Sequence, residues 1–160
     1  MCLNHTPPVL RHRIEPPRLI SCRDDGGKLY LGGIDAILSG DAIQYDCIVS
    51  VIESRHLTRY RNECINNDLV RHYSVEDEPT FPILNVLDDA IDYVSDSLSN
   101  GKSVYVHCFM GVSRSATIVV AYLMKYHGMS LNAAVAHVRS KRNILINHGF
   151  MDQLKRWESL

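Results

Sequence analysis

The sequence predicts an α/β fold: a mostly parallel, twisted central sheet of about five strands with helices on both faces. Three observations carry that expectation. Short β-branched runs, Cys47 to Ile52 and Ser103 to His107, have the composition of buried parallel strands. Other stretches repeat apolar residues at helical spacing, as in Ile83, Leu87, Ala90, Ile91, Val94 and Leu98. Ala116 to Met124 is apolar on nearly every side, so a helix there must lie inside the core. Strands alternating with helices bury both sets of apolar faces when helices cover a parallel sheet.

Residues 1–17 hold four of the six prolines and little periodicity, which predicts an extended arm, followed by a domain over 18–160. Arg18 to Cys22 and Lys28 to Gly32 read as short strands around a turn at Asp24-Asp25-Gly26-Gly27. Ile34 to Ala42 reads as a short helix, and Cys47 to Ile52 as a buried strand. Ser54 to Cys64 reads as a further helix, and Leu69 to Val75 as a strand. Arg55, Arg59, Arg61, Arg71 and His72 form a basic group read as solvated surface offset by Glu53, Glu63 and Asp68. Val75-Glu76-Asp77-Glu78-Pro79 is expected to open the helix that Asn100-Gly101 closes. Ser103 to His107 is the central strand. Gly128 ends the buried helix, and Ser130 caps the next, whose stripe is Leu131, Ala134, Val135 and Val138. A last helix over about 148–158 turns Phe150, Met151, Leu154 and Trp157 inward.

Composition narrows the function. In 160 residues the apolar share is 46%, the charged share 22% and the formal net charge −1, so non-specific binding to nucleic acid or an anionic membrane is not expected. No apolar run approaches the ~20 residues that span a bilayer. Residues 1–13 lack the apolar core of a signal peptide. Five cysteines without a Cys-x-x-Cys pair argue against a disulfide framework or a structural zinc. Together these point to an intracellular, cytoplasmic protein, with the nucleus left open.

The chemistry concentrates between the central strand and the buried helix. Cys108 stands where the strand ends, five residues precede Arg114, and the helix begins near Ser113. Amides at a helix N-terminus lack intrahelical partners and the dipole there favours an anion. Phosphate suits such a loop, and the planar fork of Arg114 can take two of its oxygens at once. The same surroundings favour an ionised Cys108 sulfur, and a nucleophile inside a phosphate cradle implies attack on phosphorus with a phosphocysteine intermediate.

His107-Cys108, five residues, then Arg114-Ser115 resembles the signature of the cysteine-based protein tyrosine phosphatases. Gly111, Ser113 to Ala116 and Ala121-Tyr122-Leu123-Met124 resemble the dual-specificity branch in particular. So do Leu29-Tyr30-Leu31-Gly32, Val75-Glu76-Asp77 and Asn147-x-Gly149-Phe150-x-x-Gln153-Leu154. The resemblance covers roughly residues 27–158 and implies a protein tyrosine phosphatase-like fold. It implies Cys108 as nucleophile and Arg114 as phosphate clamp. Backbone N–H groups of Phe109, Met110, Gly111, Val112 and Ser113 would line the cradle. Ser115 would assist departure of the sulfur, and His107 would orient the loop. Asp77, 31 positions before Cys108, would be the general acid, with Glu76 and Glu78 as the other acids of that loop. No metal or organic cofactor is implied.

The expected reaction is hydrolysis of phosphotyrosine and phosphoserine or phosphothreonine in proteins. Phosphorylated proteins are the expected partners, and the arm is a candidate contact for a homodimer. Other readings are a phosphatase of RNA 5′-phosphates or phosphoinositides, and a phosphopeptide-binding module without turnover. The uncharged Phe109, Met110 and Val112 disfavour a highly anionic substrate. One departure concerns Asn143 and Ile146, where many relatives carry proline, and predicts altered stiffness near Arg142 and Asn147.

Overall fold

A computed structural model describes residues 15–57 and 69–160. In chain order these give β1 (Arg18–Cys22), β2 (Lys28–Gly32), α1 (Asp35–Leu38), a turn of 3-10 helix (Asp41–Gln44) and β3 (Cys47–Val51). Residues 54–57 begin a helix, α2. Then come β4 (Val70–Tyr73), α3 (Leu84–Ser99), β5 (Ser103–His107), α4 (Arg114–His127), α5 (Leu131–Lys141) and α6 (His148–Glu158).

The five strands form one sheet in the order β1-β2-β5-β3-β4. Only β1 and β2 are antiparallel, joined by the tight turn that closes Arg23 N–H onto Gly27 O at 2.8 Å. The remaining pairs are parallel, which leaves β5 at the centre between β2 and β3. The predicted class and strand number are those observed.

Alternation along the strands divides the interior into two cores. Leu29, Leu31, Cys47, Val49, Val51, Val104 and Val106 face α3, α4, α5 and α6 in the larger one. Ile48 and Tyr105 face the other way, against Ile37, Ala42, Tyr45 and Leu57. Helix α4 is enclosed as its composition requires, with every residue from Arg114 to Met124 buried. Gly128 ends it in the left-handed region at φ 65°, and the Ser130 hydroxyl accepts the Ala133 N–H at the start of α5.

Several expectations need correction. The helix read over 34–42 is two short pieces, because Gly40 takes φ 82° between α1 and the 3-10 turn. Residues 75–79 do not open a helix, and α3 starts only at Leu84. Pro79 and Pro82 withhold backbone donors and bias the residues before them away from the helical region. The strand read over 69–75 is shorter, at Val70–Tyr73. Most of the predicted arm (1–14) and the second half of the helix read over 54–64 lie outside the described residues, as do Arg59 and Arg61. Of the basic group, Arg55 pairs with Glu53 and Arg71 with Asp89. Among the described residues no helix is long and apolar enough to cross a membrane.

Candidate active site

Six residues connect the C-terminal end of β5 to α4, and their carbonyl groups are all engaged from outside. Cys108 O meets His107 Nδ1 at 3.1 Å, and Phe109 O accepts the Ile34 N–H at 2.9 Å. Met110 O and Gly111 O accept from Arg142 Nη2 and Nε at 3.1 and 3.0 Å. Val112 O accepts the Leu145 N–H at 2.9 Å, and Ser113 O takes both the N–H and the hydroxyl of Thr117. In a trans peptide the C=O and the following N–H point opposite ways. Carbonyls turned outward over such a run therefore turn N–H groups inward, toward the sulfur of Cys108. That arrangement is an anion nest at a helix N-terminus.

Gly111 makes the tight loop feasible. Its φ is 70°, and an added Cβ would lie 2.4 Å from the carbonyl carbon and oxygen of Gly32 at the end of β2. The Gly111 N–H and the Ser115 hydroxyl both point at Cys108 Sγ, at 3.2 and 3.0 Å. The sulfur is nearly enclosed. Phe109 and Met110 carry their side chains outward, 39% and 58% exposed, at the rim.

Arg114 closes the far end of the loop. Its Nη1 donates to Val75 O at 3.0 Å and lies 3.9 Å from Glu53 Oε1. Its buried Nε has no hydrogen-bond partner. An unpartnered guanidinium N–H in a buried site is costly unless a ligand completes it. Beside a ring of inward amides, the ligand it fits is an oxyanion.

Asp77 is tied to this loop from two sides. Asn147 Nδ2 donates to Asp77 Oδ1 at 2.9 Å, while the Asn147 backbone N–H donates to Ser113 Oγ at 3.1 Å. Val75, two residues earlier, is the carbonyl partner of Arg114. The C-terminal motif explains the rest of the attachment. A Cβ on Gly149 would stand 1.9 Å from Pro79 O, so only glycine lets α6 meet the acidic loop this closely. Gln153 Nε2 donates to Phe81 O at 2.8 Å, and Phe150 and Leu154 fill the core. Glu76, Asp77 and Glu78 are all exposed, and it is the bond from Asn147 that sets Asp77 apart from its neighbours.

The stretch without prolines is anchored by other means. Ile144 and Ile146 are buried and Leu145 donates to the loop, which fixes the chain between Arg142 and Asn147. Arg142 itself is buried, and its Nη1 also donates to Glu15 O and Pro16 O at 3.2 and 2.9 Å. The loop is thus joined to the last residues of the predicted arm that the structure describes.

Two residues of this neighbourhood were not among the sequence candidates. Ser50 reaches His107 Nε2 with its Oγ at 2.6 Å, and Glu53 stands beside Arg114. A hydrogen bond from Arg55, with the Arg55, His56 and Arg114 charges, holds the Glu53 carboxyl below the usual carboxylate range. Both residues lie at the C-terminal end of β3, where ligands gather in open α/β sheets. That position is the only signal the sequence carried for them.

His107 is wholly buried, and burial above all lowers its pKa to about 4; the Arg114 and His72 charges act the same way, against the hydrogen bond to Cys108 O. A histidine depressed from about 6.5 in the unfolded chain stabilises the fold fully above that pH. The contribution is lost as the pH falls toward 4, and amounts to roughly 3 kcal/mol. Unfolding free energies measured by urea titration at pH 7 and pH 4 are expected to fall more steeply for the wild type than for His107→Gln. Equal falls would contradict a neutral buried ring.

Known proteins share this organisation. The model of the dual specificity phosphatase catalytic domain matches residues 29–160. Dual specificity protein phosphatase 1 of Arabidopsis thaliana is 53% identical over 72 residues, 44% of this chain and 36% of its own length. Human dual specificity protein phosphatase 26 is 37% identical over 131 residues, 79% of this chain and 62% of its own. The chain thus spans less than two thirds of these relatives. A solved structure, the human tyrosine phosphatase-like serine/threonine/tyrosine-interacting protein, superposes with a TM-score of 0.75 at 27% identity, covering 89% of this chain and 95% of that one. With that family model matched from β2 to the last residue, the chain belongs to the dual specificity phosphatases of the cysteine-based protein tyrosine phosphatase superfamily.

Proposed function

We propose that this protein is a phosphoprotein phosphatase that hydrolyses phosphotyrosine and phosphoserine or phosphothreonine through a phosphocysteine intermediate. The observation that carries the reading is the donor-lined loop, carbonyls outward, around Cys108 Sγ and the unpartnered Arg114 Nε. Inward amides and the guanidinium take the non-bridging phosphate oxygens. A lone pair on the Cys108 sulfur attacks phosphorus as the bond to the leaving oxygen breaks. Asp77 gives its proton to that oxygen. In the second step Asp77 removes a proton from water, the water oxygen bonds to phosphorus, and the S–P bond breaks. The Ser115 hydroxyl, 3.0 Å from Sγ, stabilises the charge returning to sulfur.

The exposed, uncharged Phe109 and Met110 at the rim favour a side-chain phosphate on a protein over a polyanionic substrate. A reducing compartment such as the cytoplasm suits a free sulfur of this kind, which peroxide would convert to sulfenic acid. The deciding experiment compares phosphotyrosyl and phosphothreonyl peptides, a phosphoinositide and a 5′-triphosphorylated RNA. Phosphopeptides are expected to turn over fastest; faster turnover of the inositide or the RNA would replace the substrate assignment, and binding without hydrolysis would mark a phosphopeptide-binding module. For the acid, Asp77→Ala is expected to lower kcat roughly 10²–10⁴-fold on phosphotyrosyl peptide and less on an aryl phosphate with an activated leaving group. A harmless Asp77→Ala beside a crippling Glu76→Ala or Glu78→Ala would move the role to the neighbour.

A further inference from the structure

We propose that the mouth of the anion loop selects phosphopeptides through two unlike arcs. An apolar collar of Phe109, Met110, Val112 and Leu145 takes a large apolar residue on one side of the phosphorylated residue. The acidic loop around Asp77 takes a basic residue on the other side and repels an acidic one. The proposal rests on the phosphatase reading, which places the phosphate among the loop amides. Bonds around the loop give the order of residues about its mouth. The His56 ring lies 5.5 Å from the Phe109 ring, and the next residue, Met110, is held through its carbonyl by Arg142. From Arg142 the chain runs alongside the loop, so that the Leu145 N–H meets Val112 O and the Asn147 N–H meets Ser113 Oγ. Asn147 leads on to Asp77, and Val75 in the same stretch to Arg114. Arg114 faces one oxygen of Glu53, whose other oxygen lies 3.3 Å from His56 Nε2 and closes the circuit.

One arc of this circuit is apolar and open to solvent. Leu145 is 73% exposed and points away from the core, because Ile144 and Ile146 on either side of it are buried. Met110 and Phe109 are exposed and Val112 partly so. Exposed apolar side chains grouped beside a site mark a surface that a partner covers. The other arc holds Glu76, Asp77 and Glu78, all exposed, with no basic residue from Ser74 to Pro82. Arg55, near the junction of the arcs, is paired with Glu53. An extended peptide advances about 3.5 Å per residue, so the first one or two residues on each side of a phosphotyrosine held at Cys108 reach the rim. The two flanks of such a peptide meet different chemistry.

The test measures kcat/KM of the full chain on phosphotyrosyl peptides flanked by alanine alone, by glutamate, by leucine before and lysine after, and by these two in reverse order. One of the two leucine–lysine orders is expected to exceed the alanine peptide about tenfold, the worth of partly burying one leucine side chain. The glutamate peptide should fall about threefold below the alanine peptide at low salt and recover at high salt, since exposed charges are screened. Leu145→Ser changes a side chain too exposed to hold the fold together. It should remove most of the leucine gain and leave the alanine peptide within about twofold of wild type. Leucine–lysine peptides no better than the alanine peptide in either order would overturn the proposal, as would a leucine gain kept in full by Leu145→Ser. Calorimetric titration of the same peptides into Cys108→Ser judges the surface apart from the chemistry. If wild type hydrolyses none of the peptides, the phosphatase reading falls; the surface then stands if the titrated affinities follow the expected order and falls if they are equal or absent.

Discussion

Cys108→Ser is expected to abolish hydrolysis of a phosphotyrosyl peptide, a loss of about 10⁴-fold or more in kcat, while phosphopeptide affinity stays within a fewfold of wild type. The two effects separate because they come from different atoms. In the proposed reaction binding draws on backbone N–H groups and Arg114, none of which the substitution touches. Turnover in that reaction would draw on the sulfur, whose replacement by a hydroxyl removes the proposed nucleophile. The Gly111 N–H and the Ser115 hydroxyl that converge on Sγ would face the serine oxygen instead. Steady-state kinetics on the peptide, paired with calorimetric titration of the same peptide into the variant, reads both quantities. Activity within tenfold of wild type would exclude a covalent route through Cys108, and loss of binding as well would show that the substitution had damaged the cradle itself.

Arg114→Lys should cost about 10³-fold in kcat/KM, nearly as much as loss of the nucleophile, although charge is conserved. Lysine has no counterpart to the buried Nε, and a single ammonium cannot form the two parallel contacts that a guanidinium makes to a phosphoryl group. Nor can it hold Val75 O at 3.0 Å with one nitrogen and present a flat fork to the ligand with the others. The Asp77 loop would therefore lose an attachment at the same time. Orthovanadate inhibition constants measured beside kcat/KM separate these parts. The vanadate constant is expected to rise by a factor comparable to the kinetic loss; an unchanged constant would assign Arg114 to loop support alone.

Much of the architecture was legible because periodicity and punctuation agreed. The strand at Ser103–His107, the stop at Gly128, the Ser130 cap and the helix from His148 were all readable from residue type, since each is decided within a turn or two of chain. The segment at 75–82 was misread because its acids and apolar neighbours imitate a helix start. Its actual partners, Arg114, Asn147 and Gln153, lie 39, 70 and 72 positions away from the atoms they bind. Arg142 shows the same limit. The missing prolines predict only a change of stiffness there, and the burial of Ile144 and Ile146 that anchors the chain depends on residues far away in sequence.

By itself the sequence determined the chemistry on offer: a cysteine, five residues and an arginine at the junction of a buried strand and a buried helix, with an acid upstream. Those features are local, and side-chain type together with spacing is enough to specify them. Tertiary structure decided which way the groups point. Outward anchoring of the loop carbonyls by His107, Ile34, Arg142, Leu145 and Thr117 turns the amides toward the sulfur, and Asn147 brings the acid to the same place. Directions of this kind depend on hydrogen bonds between residues far apart in the chain, and these form only once the sheet and its helices have been assembled.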